Sequence, residues 1–295
     1  MSLAWRCARR KHSTTSYIVL VLFTIKCAAV QPVPKPVRSA RKPMPSTRRA
    51  EAEAECRICL EEGGGESSTF HLGLDTFRVP MALHAANRAK VVEHMGPSAR
   101  GVALLQGGDQ LTRYDTDHEP VFRQESYFQY CFGVAEGGCF GAISLPDGKA
   151  TLFVPKLGVD YEVFCGRYPL PEDFRSKYAV DDVRFVDELP AWLEQELGTI
   201  DATASSDARE DTSPSKLFLL HGLNTDSGNY ALPATFPGCD SGWAVERKDL
   251  AALFAALAGA RVTKSHGEVE LMRYVNYVSS MAHVEVMRAA KPGSK

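Results

Sequence analysis

The sequence predicts an α/β fold: a mixed β-sheet flanked by helices on both faces, ending in a long C-terminal helix. Three observations carry this expectation. Short apolar runs of strand length alternate with segments of helical period. Two of those runs are joined through Pro146-Asp147-Gly148, tightly enough for an antiparallel hairpin. The 295 residues, 44% hydrophobic and 24% charged, suffice to bury a core without disulfides. The eight cysteines (Cys7, Cys27, Cys56, Cys59, Cys131, Cys139, Cys165, Cys239) are sparse, and read as mostly reduced with half of them small buried hydrophobes.

Residues 1–50 lie outside this pattern. They hold eleven Lys/Arg and no Asp or Glu, leaving 23 of the 34 basic residues against all 36 acidic ones in the remainder, a balance of -13. So acidic a body argues against a nucleic-acid backbone as the main partner. Arg6, Arg9, Arg10 and Lys11 precede an apolar run from Tyr17 to Ile25, then Cys27, Ala28 and Ala29, the order of a secretory signal peptide. The Arg-rich, acid-free composition equally suits an organellar transit peptide, and a wrongly joined upstream exon is the bland alternative. Nine apolar residues are too few to span a bilayer, which takes roughly 20. Five prolines in residues 31–50 mark a linker, and residues 51–68 continue it. Cys56-Arg-Ile-Cys59 supplies two of the four ligands that a closed structural zinc site needs, and no more follow before Cys131, so no zinc site is expected.

From Thr69 onward the elements alternate. Asp75 and Thr76 are of helix-capping type, Pro80 suits a first turn, and Met81, Ala85, Ala89 and Val92 recur at helical spacing until Gly96-Pro97. Val102 to Gln106 reads as a buried strand stopped by Gly107-Gly108. Strands follow over Phe132–Val134, Phe140–Leu145 and Ala150–Val154, then a short helix over Asp173–Ala179, a strand over Val183–Val186 and a helix over Ala191–Leu197. The acidic Ser/Thr/Asp stretch from Gly198 to Ser215 reads as a surface loop, Leu217–Leu220 as a strand and Leu250–Leu257 as a helix. Residues 69–264 thus form one domain.

Ser265-His-Gly-Glu268 is a capping box, and a helix then runs to about Ala290, roughly 36 Å at 1.5 Å per residue. It carries two apolar stripes: Leu271, Val275, Val278, Ala282, Val286 and Ala289 on one, Tyr274, Tyr277, Met281 and Val284 on the other. A helix on the rim of a domain needs one stripe; two suit a helix lying between two bodies. A helix sunk in a groove of its own domain is the alternative.

Several blocks, in order, resemble the amino-terminal domain that prolidase (Xaa-Pro dipeptidase) shares with aminopeptidase P and creatinase: Leu72 to Arg88 (LGLDTFRVPMALHAANR), Leu104 to Val134, Lys149 to Leu157, Lys177 to Leu189 and Gly222 to Gly228 (GLNTDSG). Glu268 to Ala289 resembles the helix that leads from this domain into the catalytic one. The resemblance implies a creatinase/aminopeptidase P N-terminal-domain-like fold, and a complete enzyme whose separate pita-bread domain holds two manganese ions on two Asp, one His and two Glu. The sequence stops at Lys295, where that domain would begin. With no such ligand set, no catalytic residue and no bound metal are expected in this chain, and no prolidase activity by the chain alone. The resemblance further implies a homodimer or pairing with prolidase subunits, and a dipeptide substrate only with the catalytic domain. A free-standing α/β interaction module that pairs with complete prolidase subunits is the alternative function.

Within the matched region, Arg123, Gln124 and Glu125 precede the aromatics Tyr127, Phe128, Tyr130 and Phe132. The resemblance implies that this part of one subunit approaches the active-site mouth of the other, which makes Arg123 and Tyr130 candidates for substrate access. Prolidases carry tryptophan at the Tyr130 position, a departure in this chain, and strand aromatics filling a core are the structural alternative. Asp115, Asp117, His118 and Glu119 cluster within five residues, but neighbours so close do not all converge on one ion, and turn chemistry explains them better. Ser126, Ser227, His221 and Asp226 lack the Gly-x-Ser-x-Gly elbow of a serine hydrolase, and His283 reads as a packing histidine.

Overall fold

The structure is a computed structural model describing residues 68–73, 76–206 and 213–293. The basic leader, Cys56-Cys59 and Asp75 lie outside the described residues. The helices are α1 (Ala82–Met95), α2 (Ser126–Phe132), α3 (Val159–Cys165), α4 (Pro171–Lys177), α5 (Leu189–Ser206), α6 (Gly242–Arg247), α7 (Ala252–Val262) and α8 (His266–Ala289).

A six-stranded mixed sheet organises them. Its order is β10 (Lys248–Asp249), β7 (Lys216–Leu219), β3 (Gly101–Gln106), β4 (Phe140–Ser144), β5 (Ala150–Val154), β6 (Asp182–Phe185). β10, β7 and β3 run parallel, β4 is antiparallel to both β3 and β5, and β6 is parallel to β5. The β4–β5 hairpin turns at Pro146 to Gly148, as expected, where Gly148 N donates to Ser144 O at 2.8 Å. Two small ribbons flank the sheet: β1 (Thr69–Phe70) with β2 (Val79–Pro80), and β8 (Gly222–Leu223) with β9 (Tyr230–Ala231).

Because side chains alternate across a strand, each central strand feeds both layers. Ala103, Leu105, Ile143, Leu152, Val154, Phe218 and Leu220 face one core, with Met81 at the N-cap of α1, Val91 of α1, Phe128 and Phe132 of α2, and Leu253 and Leu257 of α7. Val102, Leu104, Phe140, Ala142, Phe153, Leu217 and Leu219 face the other, closed by Leu189, Leu193, Leu197 and Ile200 of α5. Each such buried Leu or Phe contributes ~1.5–3 kcal/mol. Helices on both faces are therefore required by apolar runs that leave no polar side to the sheet.

Four local expectations are corrected. Phe132–Val134 is not a strand: Phe132 is the last residue of α2, which is capped by Gly133 in the left-handed conformation (φ 65°). Thr76 caps no helix; its hydroxyl donates to Gly73 O (2.8 Å) and accepts from Leu72 N (3.0 Å), making a local turn, and α1 begins at Ala82. The buried face of α1 is Met81, His84, Asn87, Arg88 and Val91 rather than Met81, Ala85, Ala89 and Val92, so three polar side chains point inward. The stretch from Gly198 is not loop, since α5 continues to Ser206; Ile200 packs into the core, and Thr199 and Thr203 hydroxyls donate back to Gln195 and Thr199 carbonyls (both 2.9 Å).

Candidate functional site

The residues singled out by sequence converge on α2 and its supports. Glu125 is the N-cap, its Oε2 accepting from Tyr127 N (2.9 Å) and Phe128 N (2.7 Å), which satisfies two free donors and places a carboxylate at the positive end of the helix. Gln124 fixes the approach. Its Oε1 accepts from Gly108 N (2.6 Å) and Glu125 N (2.9 Å), and its Nε2 donates to Val134 O and Glu136 O (both 3.0 Å), using the whole hydrogen-bonding capacity of the amide.

At the other end of α2, the inward polar residues of α1 find their purpose. His84 Nδ1 and Asn87 Nδ2 each reach Tyr130 O at 3.1 Å, and Arg88 donates to Cys131 O (2.9 Å) and Ala179 O while its guanidinium lies 5.4 Å from the centre of the Phe132 ring. The Tyr130 and Cys131 carbonyls are among those the C-terminus of α2 leaves without partners. Burial outweighs the bond to Tyr130 O and holds His84 below the ordinary histidine value, so the ring is neutral and donates through Nδ1. Gly133 permits the close approach: a Cβ there would lie 2.3 Å from the His84 ring. No motif flags His84, Asn87 and Arg88; their spacing on one helical face was the available signal.

Tyr130 itself is half-buried between α2 and α7. Its hydroxyl donates to Ala260 O at 3.1 Å, close to the end of α7, and Arg261 lies over the Tyr127 ring (4.8 Å) and the Tyr130 ring (5.8 Å). Burial first, then the charges of Glu268 and Cys131, push the Tyr130 phenol up to about 12 against the opposing pull of Arg261. It is thus a neutral hydrogen-bond donor. Tyr127 meets Phe254 edge-on with centroids 5.9 Å apart, completing an aromatic and cationic layer between the two helices. Arg123 stands apart: it is exposed, and its guanidinium makes no hydrogen bond or ion pair among the described residues.

The exit into α8 is anchored on the same side. Lys90 Nζ donates to Thr263 O (2.6 Å) and lies 3.5 Å from Glu268 Oε2, while Ser265 N donates to Glu268 Oε2 (2.8 Å) and Glu268 N to Ser265 Oγ (3.3 Å), the expected capping box. Phe77 stacks on Tyr274 with centroids 5.4 Å apart. Beyond that turn the helix is exposed except at half-buried Val284.

The remaining candidates are resolved by their contacts. Asp115, Asp117, His118 and Glu119 sit in an exposed turn built from Arg113 N to His118 O (2.8 Å) and Thr116 Oγ1 to Arg113 O (2.6 Å); the threonine hydroxyl and backbone, rather than Asp side chains, make it. His221 stacks on Tyr230 (5.2 Å, 13° between planes), while Ser227 Oγ accepts from Asn229 N (3.2 Å) in the β8–β9 turn and Ser126 Oγ donates to Glu125 Oε1 (3.4 Å). No Ser–His pair forms among the described residues. His283 is exposed on α8. Burial pushes the Cys131 and Cys139 thiols up to about 12, so both are inert packing groups, whereas Cys165 is exposed. An open depression of about 560 Å³ between α1 and the β4–β5 turn is lined by Arg88, Asp147 and Asp181, but Arg88 holds carbonyls, Asp181 accepts from Ala150 N (2.7 Å) and Asp147 pairs with Lys149 (2.8 Å).

Among the described residues no group of three or more His, Cys, Asp or Glu could hold a metal ion. No helix among them is long and apolar enough to cross a membrane.

Residues 84–203, from α1 through most of α5, match the family model of the aminopeptidase P N-terminal domain. The chain is 40% identical to the Xaa-Pro dipeptidases of Rattus norvegicus and Homo sapiens over 231 residues, 77% of its own length. Residues 84–203 carry an aminopeptidase P N-terminal domain. The chain spans 43% of the length of those two relatives. The fold agrees with solved structures: an alanine variant of Escherichia coli aminopeptidase P (TM-score 0.53) and proline aminopeptidase P II from Yersinia pestis (TM-score 0.50), each 19% identical and covering 72% of this chain and 46% of the other. The α/β reading and the prolidase resemblance are both met.

Proposed function

We propose that this chain is the non-catalytic amino-terminal domain of a manganese-dependent Xaa-Pro dipeptidase, shaping substrate access and contributing dimer contacts in the assembled enzyme. The observation that carries the reading is the shared location of α2, with Tyr127 and Tyr130 fixed beneath Arg261, and the anchored root of α8, the helix resembling the passage into a catalytic domain. Hydrolysis requires a pair of ions clamping attacking and leaving oxygens; the described residues offer no such ligand set, and the chemistry belongs to a domain beyond the matched part of the relatives. Seven large apolar side chains exposed on α8 (Met272, Val275, Tyr277, Val278, Met281, Val286, Met287) favour this reading over a free-standing module that covers its own helix.

In this role Tyr130 contributes a ring held in one orientation by its hydroxyl bond to Ala260 O, and Arg123 an exposed charge that can meet a dipeptide carboxylate. The test is substitution at the positions matching Tyr130 and Arg123 in a full-length Xaa-Pro dipeptidase. A several-fold rise in KM with kcat nearly constant is expected. Unchanged KM and kcat at both positions would dispose of the substrate-access role.

A further inference from the structure

We infer that Ser213 is a phosphorylation site for a proline-directed Ser/Thr kinase, and that Arg100 receives the phosphate. This goes beyond the substrate-access reading and does not depend on it. Ser213-Pro214 is the one Ser-Pro or Thr-Pro step in the 295 residues. Lys216 follows it, so the run Ser213-Pro-Ser-Lys216 carries both marks that such kinases select, a proline directly after the hydroxyl and a cation two residues later. The proline has a physical role. It brings no N–H to be left unsatisfied in the kinase groove, and it presses the residue before it into the extended backbone that the groove takes.

The fold presents this run to solvent. Ser213 and Pro214 are exposed and precede β7 outside any helix or strand, and Lys216, the first residue of β7, is exposed as well. Ser215 does not compete, being fully buried, with its N donating to Asp201 Oδ1 (2.7 Å) and its Oγ to Leu197 O (3.0 Å). Arg100 Nη1 donates to Ser213 O at 3.4 Å, and its Nη2 lies 3.7 Å from Asp201 Oδ1. A phosphate on Ser213 Oγ is therefore carried by the same residue whose carbonyl Arg100 already holds. Turning Arg100 toward it leaves Asp201 paired, because Arg247 Nη1 donates to Asp201 Oδ2 at 2.7 Å. Phosphoserine brings a charge of about -2 and three strong acceptor oxygens, which a guanidinium meets bidentately. Arg100 immediately precedes β3, and its carbonyl accepts from Lys216 N (2.9 Å) at the start of β7. The phosphate thus binds across the entry of two neighbouring strands of the sheet.

In the transfer, Ser213 Oγ bonds to the γ-phosphorus of ATP as the bond to the departing ADP oxygen breaks, and a kinase carboxylate takes the hydroxyl proton. The experiment treats the folded 295-residue chain and its variants with a cyclin-dependent kinase and magnesium ATP, locates the phosphate by peptide mass spectrometry, and follows it by ³¹P magnetic resonance. Circular dichroism confirms that each variant is folded. Wild type should take one phosphate, on Ser213, and Ser213→Ala none. Pro214→Ala should be modified about tenfold more slowly, since it returns an unsatisfied N–H to the groove, and Lys216→Ala several-fold more slowly. The phosphate on wild type should titrate below its ordinary second pKa of about 6, and that on Arg100→Gln nearer to it. A folded chain left unmodified at Ser213, whether or not a synthetic peptide of residues 208–219 is modified, would overturn the site. A phosphate that titrates alike in wild type and Arg100→Gln would overturn the role of Arg100.

Discussion

Replacing Arg88 by methionine probes how α2 is held. Methionine keeps the buried volume and removes the donors. Arg88 is 5% exposed and gives hydrogen bonds to the carbonyls of Cys131 and Ala179, with its guanidinium over the Phe132 ring. Bonds from a charged donor contribute ~1.5–3 kcal/mol each, and the cation–π contact ~0.5–2. Against this stands the cost of burying the guanidinium, several kcal/mol, which methionine avoids. Two carbonyls deprived of their donor in the interior decide the sign, and the net loss is about 2–4 kcal/mol. For a domain of this size that lowers Tm by about 5–15 °C. Denaturant unfolding and a thermal scan measure both. Arg88→Met within ~0.5 kcal/mol of wild type, the scatter of an ordinary surface change, would refute the view that α1 caps α2 through its buried polar face.

Three further outcomes are expected. His84 is held neutral in the fold, so the unfolded chain takes up a proton below the ordinary value near 6.5 while the folded chain does not; the stability advantage of wild type over His84→Asn should therefore shrink as pH falls from 7.5 to 5.5, by up to ~1.4 kcal/mol per pH unit. A difference independent of pH in urea titrations would contradict it. Gly133→Ala forces a side chain into a left-handed residue and onto the His84 ring, at a cost of about 2–4 kcal/mol measurable by the same unfolding curves. Among Cys131, Cys139 and Cys165, thiol labelling read by peptide mass spectrometry should modify Cys165 in the native chain and the other two only on unfolding, because burial keeps them as thiols; native labelling of Cys131 would contradict the packing described.

Much of the sheet was legible because its strands are buried on both faces, which leaves continuous apolar runs such as Val102–Leu105 and Ala150–Val154 that few other environments tolerate. The capping box at Ser265 and Glu268 was equally plain, being local chemistry. The helix α2 was misread as strand because Tyr127, Phe128, Tyr130 and Phe132 have the composition of strands; Glu125, Gly133 and three side chains from α1 overrule that propensity, and the last three are more than 40 residues away in sequence. The same polar residues defeated the apolar pattern on α1, whose inward face is legible only once α2 is docked. In α5, Gly198 and the run of Ser, Thr and Asp resemble loop, but burial of Ile200 and back-bonding threonines carry the helix through. Of the two candidates for substrate access, Tyr130 lies in a built environment and Arg123 on open surface, a distinction that adjacency in sequence concealed.

Purified 295-residue chain, assayed with a Xaa-Pro dipeptide and saturating manganese, bears most directly on the proposal that this domain does no chemistry. No hydrolysis above buffer and no stoichiometric manganese binding by calorimetry are predicted. Turnover that co-purifies with the chain and is abolished by chelation would contradict it.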